Sequence, residues 1–231
     1  MGDGNTQIIN DGLTSGIWRK IQPRVALALE RLDLEGIFGT VVVSADDLPG
    51  DGQAWYAQLP GSPVRPGPVL VLTCHVEVFC RLQVLRTTTY PPPAVWEKMD
   101  APLAADPVSE DDFDEERTDF FLNHHLLTVA DLRSGDLDSG AIPAHLAEAL
   151  GVVWAVSVDG RLERMRCPGY PMAERRGQFS RLFSSAGILL PEHWQVFESL
   201  WDGAVAGQSA ILAVTRLLPR LYSQSGRGSK S

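Results

Sequence analysis

Apolar residues follow two different periods along this chain, and the period changes near the middle. In the first half, short runs rich in β-branched residues are bounded by Gly and Pro, which is typical of buried strands. Three such strands are predicted, at 36–44, 54–59 and 69–74. In the second half the apolar residues recur every three or four positions, which indicates helices. These helices are predicted at 114–133, from Pro143 through Leu150, and at 173–186, 191–202 and 209–218.

Strands that precede helices, without alternating with them, predict an α+β fold. We therefore expect a short mixed β-sheet in the N-terminal half, packed on a mostly helical C-terminal half. Residues 1–14 and 219–231 show no periodicity and are predicted to be disordered ends. The sequence between them has no repeat and no Gly/Ser linker, so a single domain over 15–218 is predicted.

A further helix is predicted ahead of the first strand. Its apolar positions are Ile17, Ile21, Val25, Leu29 and Leu32. Proline fits poorly inside a helix but well in its first turn, so Pro23 predicts a helix that begins near Gln22.

Two segments fit more than one element. Residues 75–86 alternate apolar and polar side chains, which favours a strand, although a helix starting near Thr73 is the alternative. In 156–164, the pair Asp159-Gly160 is typical of a hairpin turn. The apolar period that leads up to Trp154 continues through this segment, so we favour a helix there.

The composition narrows the class of protein. The chain has 231 residues and a net charge of −9, which argues against general binding to nucleic acid. Its 3 cysteines form no CxxC pair and cannot complete a disulfide framework, which favours the cytoplasm. No apolar run approaches the ~20 residues of a membrane span. These features indicate an acidic, soluble, cytoplasmic protein.

The charge is unevenly distributed along the chain. Eight acids and one arginine give 106–119 a net charge of −7, and we expect a solvated loop that leads into a helix. An arginine-rich region follows, whose candidate contacts for an anion or an acidic partner protein are Arg161, Arg164, Arg175 and Arg176. The alternative is that these arginines pair with the acidic run of the same chain.

One helix carries a dense cluster of metal-ligand side chains. His124, Thr128 and Asp131 are four and three residues apart, so they share one helix face. His124 and Asp131 lie about 10 Å apart along the helix axis. They could bind one metal only with a third ligand between them. Candidates for it are His75, Glu77, His145, Asp159 and Glu163.

The string from His124 to Asp131 resembles a degenerate HExxHxxD motif of minimal zincin-like metallopeptidases. In this alignment His124 matches the first histidine ligand and Asp131 matches the downstream acid. His125 stands in place of the catalytic Glu, and Thr128 stands in place of the second histidine. The resemblance implies a zincin-like scaffold over about residues 17–165, with Asp159 or Glu163 as a further acidic ligand.

The departures from the motif change the expected function. Without the Glu no base is placed to activate a zinc-bound water, and without the second histidine a ligand is lost. His125 cannot replace Thr128, because one residue turns it by about 100° around the helix. We therefore expect a pseudoenzyme, a non-catalytic binding or structural module without a cofactor. Its residual site would comprise His124, His125, Thr128, Asp131, Asp159 and Glu163.

Two other hypotheses remain open from the sequence. The first is a metal-dependent hydrolase, with zinc at a non-standard site built on His124 and Asp131. The second is a protein–protein adaptor that uses the acidic loop or the helices bearing Trp194 and Trp201. The adaptor hypothesis predicts an exposed apolar patch near one of these tryptophans.

Overall fold

The computed structural model describes residues 6–46, 54–65, 67–81, 110–184 and 188–218. Contacts within the chain group into two compact units, where the sequence predicts one domain. The first unit comprises Met1–Val25 and Gly36–Thr118, and the second comprises Ala26–Glu35 and Asp119–Ser231. Two of the three boundaries, after Val25 and after Thr118, fall inside helices, so no linker-like composition marks them. The predicted disordered end at 219–231 lies outside the described residues.

The first unit contains a four-stranded mixed sheet, which confirms the predicted α+β class. Its strands are β1 (Gln7–Asp11), β2 (Thr40–Ala45), β3 (Ala54–Leu59) and β4 (Val69–Cys74). The order across the sheet is β1-β2-β4-β3. β2 runs parallel to both β1 and β4, and β3 runs antiparallel to β4. The two central strands carry the Val-rich runs because residues in the sheet interior are buried on both faces.

The prediction that 1–14 is disordered is wrong for the segment that forms β1. Ile8 and Ile9 pair with Val41 and Val42, so a short strand is added to the Val-rich edge of β2. Two isoleucines between polar residues give too little periodicity to identify a strand. The pairing partner, 33 residues further along, supplies the stability that the local sequence lacks.

The first helix, α1 (Ser15–Arg31), begins seven residues before the predicted start at Gln22, and it contains Pro23. Proline leaves the carbonyl of Arg19 without its helical partner, but both residues lie on the exposed side, where water can bond to that carbonyl. Ile21 and Val25 on the opposite side are buried. Packing of that apolar stripe therefore outweighs the proline.

The strand favoured for 75–86 is wrong where the structure describes it. A 3₁₀ helix occupies Val76–Phe79, and the Nδ1 atom of His75 accepts a hydrogen bond from the Glu77 amide at 3.3 Å. Val78 and the adjacent Phe79 are both buried, which a half-buried strand of period two does not allow. Residues 82–86 lie outside the described residues.

The second unit is helical. Its helices are α2 (Glu115–Ser134), which begins in the first unit, α3 (Ala147–Arg164), α4 (Met172–Phe183), α5 (Pro191–Trp201) and α6 (Gln208–Leu217). Four of these helices have bounds within a few residues of the predicted ones, whereas α3 begins four residues after Pro143 and extends beyond Leu150 through the segment 156–164. α3 packs against α4, α5 and α6. None of the described helices is both long and apolar enough to cross a membrane.

The centre of α3 confirms the favoured helix for 156–164 and rejects the hairpin. The five residues from Val156 to Gly160 are all buried, as expected for a helix surrounded by other helices. A Cβ atom on Gly160 would lie only 2.2 Å from the carbonyl oxygen of Trp201. The glycine is therefore explained by the close approach of α5 and not by a turn.

Candidate functional site

The candidate site lies entirely within the second unit, where α2, α3 and α4 each contribute a charged or polar side chain. His124 comes from α2, Asp159 from α3 and Arg175 from α4, and all three residues are buried. The helical positions explain the burial. Arg175 lies four residues before the fully buried Phe179, so it falls on the same inward face of α4.

The three side chains form one ion-paired cluster around a single carboxylate oxygen. Oδ2 of Asp159 lies 2.5 Å from Nε of Arg175 and 3.1 Å from Nδ1 of His124. The same Nδ1 atom lies 3.2 Å from Nη2 of Arg175. The ring nitrogen can donate to the carboxylate or accept from the guanidinium, but it cannot do both. The guanidinium thus lies against both the carboxylate and the imidazole, and it donates to the imidazole only in the tautomer whose Nδ1 carries no proton.

Residues around the cluster fix its geometry. The second oxygen of Asp159 accepts the backbone N–H of Tyr170 at 3.0 Å. The guanidinium carbon of Arg175 lies 4.3 Å from the centre of the Tyr170 ring, in a cation–π contact. Gln178, one turn along α4, accepts from Nη1 of Arg175 at 2.5 Å. Asp159 and Arg175 therefore both have their charge and their hydrogen bonds satisfied inside the protein.

Burial and charge shift the titration of the cluster in a consistent way. Burial lowers the pKa of His124 below its ordinary value; the Asp159 carboxylate opposes this shift, and the Arg175 cation reinforces it. Burial would raise the pKa of Asp159, but His124, when it is protonated, and Arg175 hold that pKa below its usual range through their charges and hydrogen bonds. At neutral pH the cluster therefore contains a carboxylate, a guanidinium and a neutral imidazole.

Asp131, the second predicted metal ligand, belongs to a different ion pair. Its two carboxylate oxygens face the guanidinium of Arg161, with Oδ1 at 2.8 Å from Nη1 and Oδ2 in contact with Nη2. This bidentate arrangement is the geometry that arginine prefers with carboxylates. The pairing occupies Asp131, so it is not directed with His124 toward a common point. Over the described parts of the chain, no three His, Cys, Asp or Glu side chains form a group that could hold a metal ion.

The two residues that align with the Glu and the second His of the zincin motif, His125 and Thr128, make contacts typical of structural residues. His125 is buried, and its ring centre lies 4.3 Å from that of Phe121. The hydroxyl of Thr128 donates to the carbonyl of His124 at 3.0 Å, one turn back along the same helix. Neither contact points to a base or a metal ligand at these positions.

The remaining candidates at the end of α3 contact α5. Glu163 accepts the indole N–H of Trp201 at 2.5 Å, and the guanidinium of Arg164 donates to the carbonyl of the same tryptophan. Glu163 is therefore not aimed at the His124 cluster. The third-ligand candidate His145 is exposed in a 3₁₀ turn, and His75 and Glu77 lie in the first unit.

The predicted arginine surface is wrong for Arg175, which is buried. The alternative prediction, pairing with the acidic run, is also wrong for two arginines. Arg161 pairs with Asp131 and Arg175 pairs with Asp159, and both carboxylates lie outside that run. Arg176 remains half exposed, 3.7 Å from Glu198 and over the ring of Trp194. Within the acidic run, the described residues include a 3₁₀ turn at Glu110–Asp112 and the ion pair of Glu115 with Arg24.

Comparison with known proteins adds no relative. No family model, curated protein or solved structure matches this chain. What the chain does is therefore argued from the cluster itself.

Sequence reasoning found His124 and Asp159 but missed that Arg175 joins them. The sequence alone predicts a surface position for Arg175, because arginines usually lie there. The signal that could have placed it inside is its spacing from Phe179 on the apolar face of α4. The part played by Tyr170 gave no such signal, because its backbone N–H, not its side chain, bonds to Asp159.

Proposed function

We propose that this chain is a non-catalytic binding module on a zincin-like scaffold, in which a guanidinium stands where a metal ion would. The observation that supports this proposal is the bridge from Arg175 to both His124 and Asp159. A carboxylate and an imidazole directed at one cation are what a zinc site requires, and the cation here is part of the protein.

The residues of the cluster do not fit a zinc site. Zinc in proteins takes three or four ligands at about 2 Å, and among the described residues only two potential ligands meet here. A metal ion bound by His124 and Asp159 would compete with the buried guanidinium of Arg175 for the same carboxylate. Because both are cations, Arg175 would have to leave Asp159. Within the described ranges the cluster also lacks a base placed to activate water, since His125 packs on Phe121. Its chemistry is that of a structural ion pair.

We assign the protein to the cytoplasm, as the composition predicts. All three cysteines are free thiols. Burial raises the pKa of the Cys74 thiol to about 12, and burial with nearby carboxylates raises that of Cys80 to about 11. Such thiols are poorly reactive and suit a reducing compartment.

The proposal is tested by measuring the metal content of chain purified without chelator. We expect far less than one zinc ion per chain, and no change in melting temperature when Zn²⁺ is added. Stoichiometric zinc that is lost in His124→Ala but retained in His145→Ala would overturn the proposal and favour the hydrolase hypothesis. His145 is the matched control because it is an exposed histidine of the same unit.

A further inference from the structure

The outer edge of the sheet in the first unit combines two features that seldom occur together. β3 is the last strand in the order β1-β2-β4-β3, and no strand among the described residues pairs with its outer edge. Edge strands present unpaired backbone N–H and C=O groups, and proteins usually protect them with charged residues, prolines or bulges. β3, with the sequence Ala-Trp-Tyr-Ala-Gln-Leu, has neither a charged residue nor a proline.

The side chains on one face of β3 are apolar and exposed. Trp55, Ala57 and Leu59 alternate along the strand and so lie on the same face of the sheet. Trp55 is 63% exposed and Leu59 is 46% exposed. A large aromatic side chain exposed beside an unprotected backbone edge is the combination expected of a strand-addition interface.

We propose that β3 pairs antiparallel with β3 of a second copy of this chain, joining two four-stranded sheets into one. The choice of a second copy as the partner rests on the proposed binding role. The two proposals can fail independently, because metal content tests the proposed function and mass in solution tests the dimer.

The sequence of β3 is complementary to itself in one register. When Ala57 lies opposite Ala57 of the second copy, Trp55 lies opposite Leu59 of that copy, and the reverse pair forms by symmetry. Both exposed apolar residues are then covered, around a small residue at the two-fold axis. If the pairing register shifted by one residue, Trp55 and Leu59 would instead lie opposite residues from the other face of the second copy's sheet.

The absence of charge on β3 also selects this partner. An acidic or basic peptide would meet no complementary charge on the strand, whereas an uncharged strand of equal length meets its own pattern. Outside the strand, copies that each carry a net charge of −9 repel one another. Added salt screens this repulsion, so we expect dimerisation to strengthen as ionic strength rises.

Sedimentation velocity of the full chain over a range of concentrations tests the dimer. We expect a concentration-dependent dimer that Trp55→Lys with Leu59→Lys weakens by at least about tenfold in Kd, because lysines then oppose each other twice. Trp55→Lys with Leu59→Glu carries as many new charges but places opposite charges together, so it should restore the dimer relative to the double-lysine variant. Val64→Lys is the control, since Val64 is 80% exposed and lies outside β3.

Disulfide trapping tests the register independently of any loss of stability. Ala57→Cys should form a covalent dimer under mild oxidation, because its Cα would lie about 4.5–5.5 Å from its symmetry mate. Val64→Cys, although more exposed, should remain mostly monomeric. A chain that is monomeric throughout, a dimer unaffected by the double-lysine variant, or equal trapping at 57 and 64 would each overturn the proposal.

Discussion

The two units of this protein differ in which side chains they place against the usual preference for apolar interiors and polar surfaces. The first leaves Trp55 and Leu59 exposed on the edge of its sheet, whereas the second buries Asp159 and Arg175 among its helices. Substituting the exposed residues of an apolar edge strand changes the stability of the single folded chain little, because those side chains make few contacts within it. A buried ion pair depends on every one of its members, because removing one leaves the other charged and without water. The two units should therefore respond very differently to single substitutions.

The largest effect is expected from removing the cation of the buried cluster. Arg175→Met should lower the free energy of unfolding by about 3–5 kcal/mol, because Asp159 keeps its charge in a site without water. The measurement is urea denaturation followed by circular dichroism.

Arg176→Met is the matched control for this substitution. Arg176 neighbours Arg175 on α4 but is half exposed, so we expect a change of about 0.5 kcal/mol or less. Adding Asp159→Leu to Arg175→Met should recover much of the lost stability. If Arg175→Met and Arg176→Met unfold at the same urea concentration, the buried pair is not the stabilising unit described above.

The second largest effect concerns the crossing of α3 and α5. Gly160→Ala places a methyl group 2.2 Å from a backbone oxygen, so the helices must separate, and we expect a loss of about 1–3 kcal/mol. Gly151 lies in the same helix with nothing within 4 Å of a Cβ atom. Gly151→Ala should therefore stabilise the protein by about 0.5–1 kcal/mol through helix propensity. Melting temperatures that shift in the same direction for both variants would contradict this packing.

The charged cluster should also make stability depend on pH. Because burial lowers the pKa of His124 from 6.5, the unfolded chain binds the proton more tightly, and stability falls as the pH drops below about 6.5. The pKa of Asp159 is lowered from 3.8 in the folded chain, so stability falls a second time as the pH drops below about 3.8. Each unit of pKa difference corresponds to about 1.4 kcal/mol.

Urea midpoints measured from pH 8 to pH 5 separate the histidine step from other titrations. His124→Gln should flatten the dependence, while His145→Gln should leave it as in the unchanged chain. An unchanged slope in His124→Gln would show that the cluster does not titrate as derived.

The smallest effect is expected in the first unit, at the ion pair of Arg24 and Glu115. The carboxylate of Glu115 is largely exposed, so its attraction to Arg24 is screened by water and salt. Glu115→Gln should change the free energy of unfolding by about 0.5 kcal/mol or less, and less still in high salt. A loss as large as that of Arg175→Met would remove the contrast between the two units.

Most of the regular structure could be predicted because local pattern and tertiary packing agree there. β3 and β4 have the predicted bounds, and α2, α4, α5 and α6 differ from theirs by a few residues. The errors occur where a distant partner decides the outcome. β1 depends on β2, and the helix at Pro23 depends on the burial of Ile21 and Val25.

The difference between local pattern and contacts with distant segments also explains which features of the candidate site could be predicted. Helical spacing placed His124 and Asp131 on one face of α2, and both are buried. Spacing within one helix could not show that each carboxylate would meet an arginine from another segment, as Asp131 meets Arg161 and Asp159 meets Arg175. Those pairings depend on how α2, α3 and α4 meet.

The division of α1 has a consequence for synthesis on the ribosome. Residues Ala26–Glu35 belong to the second unit, although most of the first unit follows them in the chain. Leu29, Leu32 and Leu34 are therefore made long before α2 and the helices after it, and their apolar side chains lack their native unit until then. No single cut yields either unit alone, and a chain that ends after Thr118 should expose this leucine-rich segment to aggregation because the rest of its unit is missing.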